Sequence, residues 1–141
     1  MRKSLLAWQR AIYPEAHRDR VNLAIHLLTV PIFVAGIAAV IAGVIAVDPW
    51  IAIGGLAAAV GAIAIQGRGH AREEAPPAPF DGGLDAIARI FAEQLITFPR
   101  FVIGGGFARA WRRDAEAAEE EIAEEGRRHG GEEEERGTLT R

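Results

Sequence analysis

The chain has 141 residues, no cysteine and a formal net charge of −3, with half of its residues hydrophobic. Its length leaves room for one compact unit, and the lack of cysteine excludes disulfides, thiolate-ligated haem and cysteine-held iron–sulfur clusters. Residues 112–141 carry six Arg against eleven Asp and Glu, or −5, so the first 111 carry +2, a balance without the footprint of a nucleic-acid binder.

Arg2, Lys3, Arg10, Arg18 and Arg20 stand near the N-terminus without the apolar core of a secretory signal. Ser4 to Ala11 reads as a short interfacial helix, with Trp8 and Tyr13 expected at headgroup level. Pro14 ends it and Asp19 caps the next helix, leaving His17 in the connector.

From Val21 to Val47, and again from Pro49 to Gly67, there is no Asp, Glu, Lys or Arg. About twenty predominantly apolar residues suffice to cross a bilayer. The strong inserters of the first stretch contribute on the order of −5 kcal/mol and those of the second roughly −3 kcal/mol. Neither stretch shows the polar stripe of a buried helix in a soluble protein. The expectation is an antiparallel transmembrane hairpin, with spans at about 22–47 and 49–67. Asp48-Pro49-Trp50 forms its turn and Pro31 bends its first arm. Small residues at Ala35, Ala39, Ala42 and Ala46, flanked by Gly36 and Gly43, are expected to face Gly54, Ala58, Gly61 and Ala62. Five basic residues precede the first span, and Arg68 and Arg72 follow the second, so the positive-inside rule puts both ends in the cytoplasm.

The prolines of Ala75-Pro-Pro-Ala-Pro79 dictate an extended strap closing at Asp81-Gly82-Gly83. Leu84, Ile87, Phe91, Leu95 and Phe98 then follow helical spacing, with Asp85, Arg89 and Glu93 as a charged stripe on the opposite face. This predicts an interfacial helix over about 84–98. Phe101 to Phe107 is apolar but too short to span, and is expected to re-enter the membrane or cover the site. The domain division is therefore a membrane-embedded helical part, 1–112, and an acidic charged tail, 113–141. The tail is read as a solvated helix to about Glu125 followed by disorder. His129 belongs to the tail and is assigned no role. The fold class is an all-α membrane protein: a hairpin, interfacial or re-entrant helices and a charged tail.

The hairpin returns His17, His26 and His70 to one membrane face, with Glu73 and Glu74 beside them. Each imidazole alone is explained by a bond to a carbonyl or headgroup; gathered with carboxylates, they are the ingredients of a metal site. Without cysteine the donors are nitrogen and oxygen, which suits iron(II) or zinc. Asn22 and His26 share a helix face, but nine residues part His17 from His26, half a turn out of phase, so the chain must break near Asp19. Arg68 and Arg72 either attract an acidic substrate head or only set topology.

Tyr13-Pro-Glu-Ala-His17-Arg-Asp-Arg-Val-Asn22-Leu-Ala-Ile-His26, continuing to Pro31, resembles the opening signature of the 2-hydroxy fatty acid dioxygenase family. Gln66-Gly-Arg-Gly69-His70-Ala-Arg-Glu73 with Pro77-Ala78 resembles its second signature, and Thr97-Phe-Pro-Arg-Phe101 looks like its bacterial members. The resemblance covers roughly residues 8 to 112. It implies an iron(II)-dependent oxidoreductase of the bacterial inner membrane or endoplasmic reticulum. Such an enzyme converts a 2-hydroxy fatty acid and dioxygen to a fatty acid one carbon shorter. It points to His17, His26 and His70 as iron ligands and to Glu73 as part of the catalytic set, with Asn22, Arg72 and Glu74 supporting; the acid of the second signature aligns with Glu73 or Glu74. The bilayer is the partner, and a homo-oligomer remains open. A non-catalytic hairpin serving assembly and a zinc-dependent lipid hydrolase are the competing readings.

Overall fold

The computed structural model describes residues 4–75 and 77–139, with side chains described to 124 and at 127. Among the described residues every regular element is helical: α1 (Leu5–Ile12), α2 (Arg20–Ile45), α3 (Pro49–His70), α4 (Gly83–Ala92), a π-helical turn (Glu93–Thr97), α5 (Phe98–Ile103) and α6 (Gly106–Leu139). The Ser4 hydroxyl caps α1. The break required near Asp19 is present: Asp19 is extended, and its carboxylate accepts the Asn22 backbone N–H at 2.7 Å to start α2. Pro31 does not end α2, which runs to Ile45. There the Asp48 N–H returns to the Gly43 carbonyl at 2.8 Å, with Val47 in the left-handed region at φ 53°. Asp48 then caps α3, and Pro49 sits in its first turn, where a missing N–H is harmless.

α2 and α3 are long and apolar enough to cross a membrane, and only 28% and 22% of their most apolar windows are buried inside the protein. Their contacts pair Gly43 with Ala52, Gly36 with Gly55 and Ala59, Thr29 with Gln66, and Asn22 with Gly69, rising residue numbers in one helix meeting falling numbers in the other. On α3 the close approach falls at Gly55 and Ala59, one residue out of phase with the Gly54 and Ala58 read from the sequence, whereas Gly36, Ala39, Gly43 and Ala62 lie at the contact as expected. A Cβ on Gly36 would stand 2.7 Å from the Gly55 carbonyl oxygen, whereas Gly54 and Gly61 face open space. Ala and Gly are so evenly spread over both helices that several faces look equally small; backbone contact, not composition, selects Gly36 and Gly55.

The second departure concerns α4. The sequence pattern predicts an interfacial helix with its apolar side toward the membrane and its charges solvated; the structure keeps most of the apolar side outward but buries the charges. Leu84 is 85% exposed and Ile87, Leu95 and Ile103 lie outside, while Arg89 is 7% exposed and Gln94 and Thr97 are buried. Apolar-out and polar-in is the economical arrangement when the surroundings are hydrocarbon. The buried charge of Arg89 is satisfied by the Pro79 and Ala78 carbonyls, each at 2.8 Å, and by Asp85 at 3.5 Å, and its guanidinium lies against Trp8 and Phe80. Helix does not stop at Pro99. The chain widens to a π turn in which the Phe98 N–H reaches the Glu93 carbonyl, relieving the clash a proline makes with the carbonyl four residues back. Gln94 and Thr97 of that turn point inward, while Leu95 and Ile96 point outward.

Buried amides and hydroxyls tie these elements together. Gln66 and Gln94 exchange hydrogen bonds at 3.1 and 2.6 Å, Gln66 also donates to Thr29 at 2.8 Å, and Gln9 bridges the Arg89 carbonyl and the Thr97 hydroxyl. One small apolar cluster joins Tyr13, Val30 and Phe98, another Phe33, Ala59 and Ala62. Helix α6 continues past Glu125, where the sequence pattern ended it, to Leu139. Its start is fixed by Arg20, which donates to the Trp111 carbonyl at 3.0 Å, lies over the Trp111 ring and pairs with Asp114.

Gly55→Leu is expected to separate α2 from α3 and destabilise the protein by roughly 1–3 kcal/mol or more, whereas Gly54→Ala, facing open space, should leave stability equal or raise it by up to about 1 kcal/mol. Thermal unfolding of the two variants in detergent checks the register directly.

Candidate metal centre

Three elements deliver three imidazoles to one point. His17 comes from the connector after α1, His26 from the second turn of α2 and His70 from the last residue of α3. Their ring centroids form a nearly equilateral triangle with sides of 4.7, 4.8 and 4.9 Å, the rings crossing edge to face at 75–82°. His17 and His26 are almost wholly buried, at 2% and 0% exposure.

The backbone sets their tautomers. Nδ1 of His17 faces the Tyr13 carbonyl at 3.1 Å and Nδ1 of His26 the Asn22 carbonyl at 3.0 Å. A carbonyl only accepts, so each Nδ1 carries the proton and each Nε2 presents a lone pair. Both Nε2 atoms, together with Nδ1 of His70, are buried and have no hydrogen-bond partner among the described residues. Three such nitrogens converging is not how a protein normally leaves buried polar atoms.

The fourth member is Glu93, whose Oε1 lies 3.5 Å from His17 Nε2 and 3.6 Å from His26 Nε2. One donor atom from each of His17, His26, His70 and Glu93 falls within 4.8 Å of the others, a group that could hold a metal ion. Four donors about 2.0–2.2 Å from a shared ion in a tetrahedral array stand roughly 3.3–3.6 Å apart, so the set closes on one when its donors draw inward by up to about an ångström. Burial by itself raises the pKa of Glu93; when the rings of His17 and then His26 carry a second proton they lower it by more, and its carboxyl then lies below the ordinary carboxylate range. Tyr13 donates to the same Oε1 at 3.2 Å, and burial first, then the Glu93 charge and that bond, push its phenol well above its usual value. Tyr13 also stacks on His17 at 3.8 Å. It is a buried support of the site, in place of the headgroup position its sequence context suggested.

The other residues singled out in the sequence lie around this group. Glu73 is one step outside it. Its carboxylate accepts the backbone N–H groups of Arg18 and Asp19 at 2.9–3.3 Å and the Asn22 amide at 2.5 Å, clamping the connector that carries His17. Asn22 links that clamp to His26 through its own carbonyl, and Gly69 leaves room for it: a Cβ there would stand 2.5 Å from Asn22 Oδ1. Arg72 holds the capping Asp19 at 3.1 Å. Glu74 is exposed and Arg68 faces outward, both away from the imidazoles. Phe98 and Phe101 roof the site, 5.7 Å from His26 and 6.4 Å from His17, so the apolar stretch after Pro99 contributes to its cover. Glu93 is the residue that sequence reasoning missed. Its signal was present, a carboxylate one turn before the helix-widening Thr97-Phe-Pro99, but the amphipathic pattern assigned it to the solvated face.

Comparison with protein-family models, with curated proteins and with solved structures finds no match to this chain. The reading of the centre therefore stands on its own geometry.

Alanine at His17, His26 or His70 should each weaken binding of a divalent transition metal by more than the roughly 10–100-fold typical of losing an outer partner. Glu74→Ala should bind as the parent does. Equilibrium competition with a chromophoric chelator measures both.

Proposed function

We propose that the protein is a membrane-embedded, iron(II)-dependent dioxygenase that shortens 2-hydroxy fatty acids by one carbon. The observation that carries this reading is the convergence of three unpartnered imidazole nitrogens and one carboxylate beneath a helix whose apolar face points outward. Open nitrogen–oxygen sites of this composition suit iron(II) and dioxygen chemistry. The resemblance of the His17–His26 and Gln66–Glu73 segments to 2-hydroxy fatty acid dioxygenases supplies the substrate. α2 and α3 form a transmembrane hairpin in this reading, with the basic residues before α2 and after α3 placing the metal end on the cytoplasmic side.

The reaction balances as RCH(OH)COOH + O₂ → RCOOH + CO₂ + H₂O. Iron, when bound, supplies a Lewis acid for the two oxygens of the hydroxy acid and a redox partner for dioxygen. His17, His26 and His70 would hold it. Glu93, beside the three imidazoles that would hold the ion, would take the proton of the 2-hydroxyl group. Tyr13, bonded to Glu93 Oε1, orients the carboxylate for that transfer. Glu73 and Asn22 fix the connector and the imidazole planes, while Phe98 and Phe101 exclude water above the imidazoles. A three-residue anchor for the ion and a separate base explain why four ligand-type residues meet where three histidines suffice.

Full-length protein purified in detergent and loaded anaerobically with iron(II) should consume dioxygen with 2-hydroxypalmitic acid and release pentadecanoic acid and carbon dioxide. Glu93→Gln should keep bound iron yet lose turnover by a factor of about 10²–10⁴, the usual worth of a positioned base. Turnover supported by zinc without oxygen would contradict the oxygenase reading. So would absence of product from iron-loaded protein.

A further inference from the structure

A second feature opens directly beside the imidazoles. It is a cavity of about 440 Å³ between α1, the distal half of α3, α4 and the proline strap, with His17, His70 and Glu93 in its wall. Along the rest of its length Trp8, Ile12, Ile63, Ile90 and Phe80 line it. Ile63 lies two helical turns before His70, and Arg89, seated against Trp8 and Phe80, lies one turn before Glu93. The metal-binding residues therefore stand at one end and the aromatic pair at the other.

We propose that this cavity binds the single acyl chain of a fatty acid, with its carboxylate at the His17–His70–Glu93 end and its tail running between Ile12, Ile63 and Ile90. The proposal deepens the dioxygenase reading and rests on it for the 2-hydroxyl group only; the fit to a fatty acid stands on the cavity. Away from the imidazoles, the amide and guanidinium groups that line the cavity are already engaged. Gln66 and Gln94 bond each other, Gln9 bonds Arg89 and Thr97, and the Arg89 guanidinium is held by two carbonyls. Beyond the imidazole end the wall thus asks nothing polar of a ligand, which is what a methylene chain offers. The volume falls within the range of about 300–1,000 Å³ common to small-molecule sites and holds one chain, not the two of a phospholipid. One wall is the strap at 77–80, pinned by the Arg89 bonds to Ala78 and Pro79. Ile63 and Ile90 are themselves packed on the Phe33–Ala59–Ala62 cluster, so the bore between them is set by the α2–α3 contact. The metal-binding residues and the acyl chain then share one continuous cleft, lined on one side by the α3 residues Ile63, Gln66, Gly67 and His70.

The test uses full-length protein in lipid nanodiscs and palmitic acid carrying a diazirine at its methyl end, a probe that lacks the 2-hydroxyl group. After irradiation, adducts are expected on Trp8, Ile63, Phe80 or Ile90, and excess palmitic acid should abolish them. Ile63→Trp, and independently Ile12→Trp on the short α1 helix, should raise the concentration of stearic acid needed for competition about tenfold or more relative to octanoic acid. Adducts confined to outward residues such as Leu28, Ile41, Val44 or Ile53 would overturn the proposal. So would cavity labelling by a diazirine-tagged two-chain phospholipid. Cavity adducts in a protein without turnover would keep the acyl site and remove the oxygenase reading; turnover with outer adducts alone would do the reverse.

Discussion

A carboxylate brought into a mostly buried position among three imidazoles loses water that the protein must replace, a desolvation penalty of several kcal/mol. Most of the chain's polar architecture is arranged around that one constraint. Tyr13 gives Glu93 a hydrogen bond, the Tyr13 and Asn22 carbonyls orient the imidazoles, and Glu73 pins the connector through three donors at once. These supports come from four separate segments, so the centre forms only when α1, α2, α3 and the π turn are all in place. The lone pairs left over, two Nε2 atoms and one Nδ1, are what a cation would satisfy.

The same constraint accounts for the inverted polarity of the molecule. A helix that must present Arg89, Glu93, Gln94 and Thr97 to the interior turns its leucines and isoleucines outward, which in water would be unfavourable and in hydrocarbon is not. The buried amides serve this arrangement as well. Gln66 on α3 and Gln94 on the π turn hold each other across the interface where a soluble protein would place an apolar core. The apolar contact that remains is small and depends on backbone approach at Gly36 and Gly55. The π turn ties both themes together, since widening the helix before Pro99 is also what aims Glu93 and Thr97 inward.

Much of this was legible in the chain. Long charge-free stretches announce α2 and α3, Asp19 caps α2 as expected, and the half-turn mismatch between His17 and His26 demands the break found at Asp19. His17, His26 and His70 meet because two helices of known length return the chain to its starting level. What could not be read follows from one cause. Periodicity says which residues share a face but not what that face meets, so the interfacial-helix reading turned Glu93 and Arg89 to the solvated side, and the aromatic-belt rule placed Tyr13 at headgroup level. Glu73 shows a related limit: the second signature put it in the catalytic set, while its contacts are with the backbone of Arg18 and Asp19 and the Asn22 amide. The glycine register on α3 failed for a different reason, because Ala and Gly occur on every face of both helices and only interhelical distance distinguishes them.

X-ray absorption spectroscopy of the iron(II)-loaded protein, free of substrate, tests the central claim most directly. The account predicts one ion per chain with scattering from three imidazole rings at about 2.0–2.1 Å and from one further oxygen-donor shell, and a loss of one imidazole in the His70→Ala protein. Iron bound through fewer than two imidazoles, or a His70→Ala protein with an unchanged spectrum, would contradict it.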